Sequence, residues 1–436
     1  MHSILACCRV ALPARRIAKF VAGMLALLIW QALQAAPSLT LAEAQRRALE
    51  RSRQISAQDS TVIAAREMAV AAGQLPDPVL KLGLDNLPID GPDAFNLTRD
   101  FMTQRRFGLA QEITRDEKRR ARTARYEREA ERAQVEKHAT VAVIRKETAL
   151  AWLDRYYSEA MAAASGGQIG QARLEIEAAD AAYRAGRGSQ ADALAARSTL
   201  VMLEDKQSEL ERRVRSAKIM LARWIGEGAD VPLAGEPGVD VIAFDTANLG
   251  DRLARHPQIS VLGKQEQVAE AEARLARANR TADWGVELSY SQRGPAFSNM
   301  VSIGVSIPLQ WDQKNRQDRE LASKLAQLDQ TKALREEALR AHEAEVRAMM
   351  EEWQNGRRRE ARYARELVPL AAERTQAVLA AYRGGKAALT DVLAARRNET
   401  ELRIQSLQLR ADTARLWAQL NFLDPDMPVA NQKEQP

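Results

Sequence analysis

Two hydrophobic periods alternate along this chain, and their order sets the expected architecture. Four short segments alternate with a period of two. Leu80, Leu82 and Leu84 interleave with Lys81, Gly83 and Asp85, and Phe107, Leu109 and Ile113 with Gly108, Ala110 and Glu112, where Gln111 breaks the apolar row. Val286, Leu288 and Tyr290 interleave with Glu287, Ser289 and Ser291, and Val301, Ile303, Val305 and Ile307 with Ser302, Gly304 and Ser306. Long stretches of helix formers separate these segments. Thr40, with Glu43 three residues on, opens a helix as a capping box, and Pro76 and Pro78 close it near Gln74. From Asp116 to about Ala185 there is no proline, and only Gly166, Gly167 and Gly170 interrupt. Beyond Gly186-Arg187-Gly188, Ser189 can cap a helix to about Ile225.

The same series then runs again. Helices are expected at about Asn248–Arg280, Gln313–Tyr382 and Leu389–Leu423, with a kink at Pro369 because proline lacks the N–H donor. Ala182-Tyr183-Arg184-Ala185-Gly186 recurs as Ala381-Tyr382-Arg383-Gly384-Gly385, and Asp192-Ala193-Leu194-Ala195-Ala196-Arg197 as Asp391-Val392-Leu393-Ala394-Ala395-Arg396, both at an offset of 199. Gln54-Ile55-Ser56 returns as Gln258-Ile259-Ser260. Helical composition yields chance similarity, but not a fixed offset through Tyr, Gly and Asp. The chain is therefore read as an internal duplication, with a first repeat over 37–235, a second over 236–424 and a tail at 425–436 expected to be disordered.

Length constrains the packing. A helix of about 70 residues is roughly 100 Å long, and each returning helix is roughly half of that. The returning helix of the first repeat and the opening helix of the second, placed end to end across the Gly- and Pro-rich segment 227–246, would match one long helix. The helix near Leu41 would complete the last column. A cylinder of antiparallel helices satisfies these lengths, and a globule does not. Each strand has one apolar and one polar face, as a barrel in lipid with a wet lumen requires. Four strands cannot close a lumen, and open edges are not tolerated in lipid. Three chains supply twelve strands. The expected fold is thus mostly α with a small β part: a trimeric α-helical tunnel joined to a 12-stranded outer-membrane β-barrel.

Composition agrees with long helices. Hydrophobic residues make up 46 % of the 436 residues but aromatic ones only 5 %. Arg9, Arg15, Arg16 and Lys19, followed by the apolar run Phe20–Leu33, are expected to form a signal peptide ending near Ala36. Its removal takes four basic residues and no acidic ones, so the formal charge falls from +6 to +2. The basic balance belongs largely to the leader and gives no sign of nucleic acid. Cys7 and Cys8 leave with it, so the mature chain has no thiol chemistry, and neither follows the apolar run as a lipid acceptor would.

With these parts in place, the chain resembles the TolC-like outer-membrane efflux family. The resemblance rests on the duplication and on the two turns, Tyr183-Arg184-Ala185-Gly186 through Asp192 and Tyr382-Arg383-Gly384-Gly385 through Asp391. It implies a passive duct in the outer membrane of a Gram-negative bacterium, extending into the periplasm. The implied partners are a periplasmic adaptor and an inner-membrane pump of the resistance-nodulation-division type. It also implies that the turns form the periplasmic aperture, with Tyr183, Arg184, Asp192, Tyr382, Arg383 and Asp391 in gating, and Gly186, Arg187, Ser189, Gly385 and Lys386 at adaptor-docking tips. Leu75-Pro76-Asp77-Pro78, Asn86-Leu87-Pro88 and Thr98-Arg99-Asp100-Phe101-Met102-Thr103 resemble the heavy-metal branch (CzcC- and CusC-like), which implies metal cations as cargo. The same duct serving organic-compound efflux or type I secretion, and a periplasmic coiled-coil scaffold, are the alternative readings.

The residues themselves set limits on other chemistry. Rings of Asp192 and Asp391 would attract cations, although a carboxylate at a helix start also serves the macrodipole alone. His138, His256 and His342 are widely spaced in sequence, and Met349-Met350 point to different faces of a helix, so no bound metal is expected. No glycine-rich phosphate loop, nucleophile elbow or zinc-protease motif occurs, and neither an enzyme nor a cofactor is expected. The basic run Arg115–Arg132 is interleaved with acids and reads as a solvated helix face. Trp152, Trp224, Trp353 and Trp417 read as packing residues between helices, and Trp284 and Trp311 as an interfacial belt.

Overall fold

A computed structural model describes residues 38–186, 189–242 and 249–422. The expected leader at 1–36, the expected tail at 425–436 and Arg187 lie outside the described residues. In chain order the elements are α1 (Leu41–Arg51), α2 (Arg53–Ala72), β1 (Val79–Asp85), β2 (Gln104–Ile113), α3 (Asp116–Arg184) and α4 (Gln190–Ile225). They are followed by α5 (Leu249–Ala254), α6 (Pro257–Ala278), β3 (Trp284–Gln292), β4 (Met300–Ser306), α7 (Gln317–Arg362), a π turn (Tyr363–Leu367), α8 (Val368–Arg383) and α9 (Leu389–Asn421). The second series repeats the first in order and kind. The 69-residue α3 of the first series spans roughly 100 Å, and α7, the π turn and α8 stand in its place in the second.

Both opening helices are broken, where the sequence suggested one helix each. In the first series Ser52 leaves the helical region (φ −65°, ψ 115°), and its hydroxyl accepts from the Ile55 N–H to start α2 afresh. In the second, His256 is extended (φ −54°, ψ 138°) because Pro257 at the head of α6 excludes a helical residue before it. The π turn precedes Pro369, where a kink was expected: the Val368 N–H reaches back to the Tyr363 carbonyl.

The end-to-end stacking also differs from expectation. The returning helix α4 abuts α1 of its own series, and the Arg51 guanidinium donates to the Ala222 carbonyl at the α4 C-terminus (3.2 Å). That contact satisfies a carbonyl the helix end leaves open, which the opening helix of the other repeat was expected to cover. Helices α2 and α4 therefore form one column against α3, α6 and α9 pack on its other side, and the α7–α8 column packs against α6 and α9. The protomer is a layer of columns with two flanks open. Those flanks expose apolar side chains: Ile63, Val70, Val201 and Ile219 on one, Leu334 and Leu370 on the other.

The segment after α4 does not merely join two helices. It crosses the waist of the layer, where Leu39 pairs in parallel with Leu233. Leu39 N–H donates to the Pro232 carbonyl (2.9 Å) and Ala234 N–H to the Leu39 carbonyl (3.1 Å). Trp152 Nε1 donates to the Leu39 carbonyl (3.1 Å) and Trp417 Nε1 to the Val241 carbonyl (2.8 Å). The buried Arg155 guanidinium holds the Ala229 and Val231 carbonyls. Here Trp152, Tyr157, Ile144, Leu221 and Trp417 form the main core. Burial pushes the Tyr157 hydroxyl up to about 12. Trp224 and Trp353 pack against the same core.

The four strands form one antiparallel sheet in the order β1-β2-β3-β4. Its register aligns an apolar row across every strand: Leu80, Leu109, Leu288, Ile303. The next row is Leu82, Phe107, Tyr290, Val301. All of these side chains are exposed. The opposite face carries Lys81, Arg106, Glu287, Ser289 and Ser302. Gln111, out of pattern in the sequence, stands in the apolar row beside Val286, where its amide donates to the Pro76 carbonyl (2.7 Å) at the base of the sheet. Among the described residues no helix is long and apolar enough to cross a membrane. The sheet is the apolar surface available for that role.

Candidate functional site

The two helical hairpins farthest from the sheet hold the residues singled out in the sequence. At each tip the long helix ends on a glycine in the left-handed region, Gly186 (φ +69°) and Gly385 (φ +70°), a conformation costly for any residue with a Cβ. Gly186 N–H donates to the Tyr183 carbonyl (3.0 Å), and Gly385 N–H to the Tyr382 carbonyl (2.9 Å). Lys386 N–H closes on the Ala381 carbonyl (2.8 Å), completing a Schellman turn. Ser189 then caps α4: its hydroxyl accepts from the Asp192 N–H (3.1 Å). The Asp192 carboxylate accepts in return from the Ser189 N–H (3.2 Å) and hydroxyl (2.7 Å). Asp391 plays the same part at α9, accepting from the Ala388 N–H (3.1 Å).

Both aspartates thus spend one oxygen starting a helix, while Asp391 remains exposed. The paired tyrosines are not equivalent. Tyr183 is 48 % exposed, whereas Tyr382 packs on an apolar cluster of Ala179, Ala193, Ala196, Leu389, Val392 and Leu393. Arg184 turns back to donate to the Asp180 carbonyl (3.2 Å), and Arg383, Lys386 and Ser189 are exposed.

That apolar cluster draws on both hairpins, and two arginines reinforce it. Arg197 pairs with Asp180 (3.1 Å) within the first hairpin. Its counterpart in the repeat, Arg396, crosses instead to Glu175 on α3. The Glu175–Arg396 pair is largely buried. Burial pushes the Glu175 carboxyl up, against the opposing pull of Arg396. Sequence reasoning used these arginines only as repeat markers. Their recurrence at one offset was the available signal, but their partners are not repeated.

At the other end of the helices, Asp283 fixes the sheet to α3. It accepts from the Arg115 N–H (2.9 Å) and from Lys118 Nζ (2.7 Å). Burial alone would raise the Asp283 carboxyl, but these donors and the nearby Arg122 hold it below the usual range. His256 and His342, far apart in sequence, are brought into ring contact with centroids 4.4 Å apart. No group of three His, Cys, Asp or Glu suited to a metal occurs among the described residues.

The fold and its tips define a class: a helical duct subunit crowned by a portion of a membrane barrel. Residues 248–424 match the family described as outer membrane efflux protein. No curated protein matches the chain in sequence. Among solved structures, the outer-membrane channel OprN superposes with a TM-score of 0.75 at 17 % identity, covering 88 % of this chain and 89 % of that one. CusC, described in terms of folding and transmembrane channel formation, gives 0.75 at 15 % identity over 88 % and 91 %. VceC from Vibrio cholerae gives 0.69 at 17 % identity over 88 % and 96 %. The second repeat thus carries the sequence signature of that family, and both repeats share the fold of these outer-membrane channels.

Proposed function

We propose that three copies close into a 12-stranded barrel and a helical tunnel that passively conducts exported heavy-metal cations out of the periplasm. The observation that carries the duct is the four-stranded sheet, apolar on one face, with β1 and β4 each paired on one side only. Joining β4 of one copy to β1 of the next removes every edge, and the same rotation brings the two open helical flanks together. The duct works with a periplasmic adaptor and an inner-membrane pump, and the exposed Ser189, Gly385 and Lys386 are the docking tips. Gly186 serves that contact through the turn it permits, and Arg187 extends it.

The cation reading draws support from the polar face of the sheet. Lys81 pairs with Glu287 (2.6 Å) and Arg106 with Asp85 (3.1 Å). Glu112, on the same face and exposed, adds one carboxylate per copy, and carboxylate rings favour cations. Deleting the gene should reduce tolerance to a panel of metal salts while leaving tolerance to organic toxicants unchanged. The reverse pattern would replace the metal reading by organic-compound efflux.

Gating falls to the tips, where Tyr382, Asp391, Arg383, Tyr183, Arg184 and Asp192 of three copies converge. Changing Tyr382→Phe and Asp391→Asn together should raise the single-channel conductance in planar bilayers severalfold. Unchanged conductance would remove these two side chains from the gate.

A further inference from the structure

The hairpin tips and the waist have separate cores. The waist core ends on Met161 and Leu210, and the tip core begins beside Ile176 and Val378. Between them the buried positions of the long helices are small or hydroxylated: Ser165, Ala172, Ala371 and Thr375. Little large apolar packing bridges the two.

Both long helices are weakened at this level. At the offset of 199 that relates the tips, the π turn Tyr363–Leu367 corresponds to residues 164–168, and Pro369 corresponds to Gly170. One helix carries a wide turn followed by proline. The other carries Gly166, Gly167 and Gly170. The returning helices meet these spots at matching places, with Gln207 beside Gly166 and Gln405 accepting from the Tyr363 hydroxyl (3.4 Å).

Packing within the chain does not call for Gly167 or Gly170. Neither Gly167 nor Gly170 has a positive φ, and a Cβ on either would meet nothing within 4 Å. Gly356 is different, because a Cβ there would lie 2.5 Å from the Thr413 hydroxyl. Alanine would fit at 167 and 170 and strengthen the helix, and Ala162, Ala163 and Ala164 stand just upstream. Glycine without a steric reason, and a π turn before proline, are both marks of a bending site.

We propose that these two spots are a matched pair of hinges, residues 165–170 of α3 and residues 363–369 between α7 and α8, on which both hairpin tips swing as one body. The tip moves as a unit because its core draws on both hairpins and the buried Glu175–Arg396 pair ties the second to the first. Repacking within the tip is not required. The hinge itself stands on these packing observations, and only the consequence, opening of an aperture, rests on the duct reading.

Hydrogen exchange on the full-length wild-type protein in detergent tests the hinge without a variant that could misfold. Amides at 165–170 and 363–368 should exchange at least about tenfold faster than those one or two turns to either side, reflecting local opening. A variant carrying Gly166→Ala, Gly167→Ala and Gly170→Ala should slow exchange at the first hinge. It should also narrow the distance distribution between spin labels attached through Leu194→Cys. Uniform exchange along both long helices, or tip distances unchanged in the triple variant, would overturn the hinge. If exchange and distances behave as expected but no conductance is found in bilayers, the hinge stands and the duct reading falls.

Discussion

Ile303→Arg should abolish recovery of the protein from the outer membrane, whereas Ser302→Arg next to it should leave recovery close to wild type. Both residues are exposed on β4 and adjacent in sequence, so surface accessibility cannot separate them. What separates them is the face. Ile303 stands in the row with Leu80, Leu109 and Leu288, and Ser302 stands beside Ser289 on the polar face. An arginine on the lipid face costs roughly 2–4 kcal/mol near the bilayer midplane, and a closed trimer incurs that cost three times. An arginine facing a wet lumen keeps its hydration. Quantitative outer-membrane fractionation of the two variants is the check.

Trp152→Ala should lower the stability of the helical part by roughly 3–5 kcal/mol, the range for truncating a buried aromatic. Its side chain is fully buried and stacks on Tyr156 with ring centroids 5.5 Å apart. Its indole N–H also holds the Leu39 carbonyl, and Leu39 is the residue through which the N-terminal segment pairs with the crossing strand at Leu233. The substitution therefore opens a cavity and releases the crossing segment at once. Thermal unfolding followed by the helical circular-dichroism signal should shift well below wild type. Trp311→Ala, at a side chain 88 % exposed, should leave the transition in place.

These two tryptophans show how far a sequence reaches in such a protein. The period-two segments, the proline-free stretches and the repeat at the tips are local signals, and the elements formed within a few residues of where they pointed. Ser189, Gly186 and Gly385 also act locally, so their capping and turning roles were legible. The helix breaks at Ser52 and His256 were missed because a serine cap and a proline start inside an otherwise helical pattern look like ordinary helical residues.

Contacts between residues distant in sequence were not legible at all. Arg51 closing α4, Arg155 binding the crossing segment, Arg396 meeting Glu175 and His256 meeting His342 each join residues far apart in sequence. Their types carry no period. Repeat symmetry even misled in one respect: Tyr183 and Tyr382 match in sequence, yet one is exposed and the other packs on the tip core. Asp192 and Asp391 matched as candidate gate carboxylates, and both turn out to cap their own helices first.

The central claim is that this chain is one third of a closed barrel in the outer membrane. The direct test is the mass of the protein extracted from the outer-membrane fraction in mild detergent, measured by light scattering with the detergent contribution subtracted. Three chains per particle, converting to single chains only on heating in denaturing detergent, is the expected result. A folded, monodisperse single chain, or recovery of the protein in the soluble fraction, would contradict it.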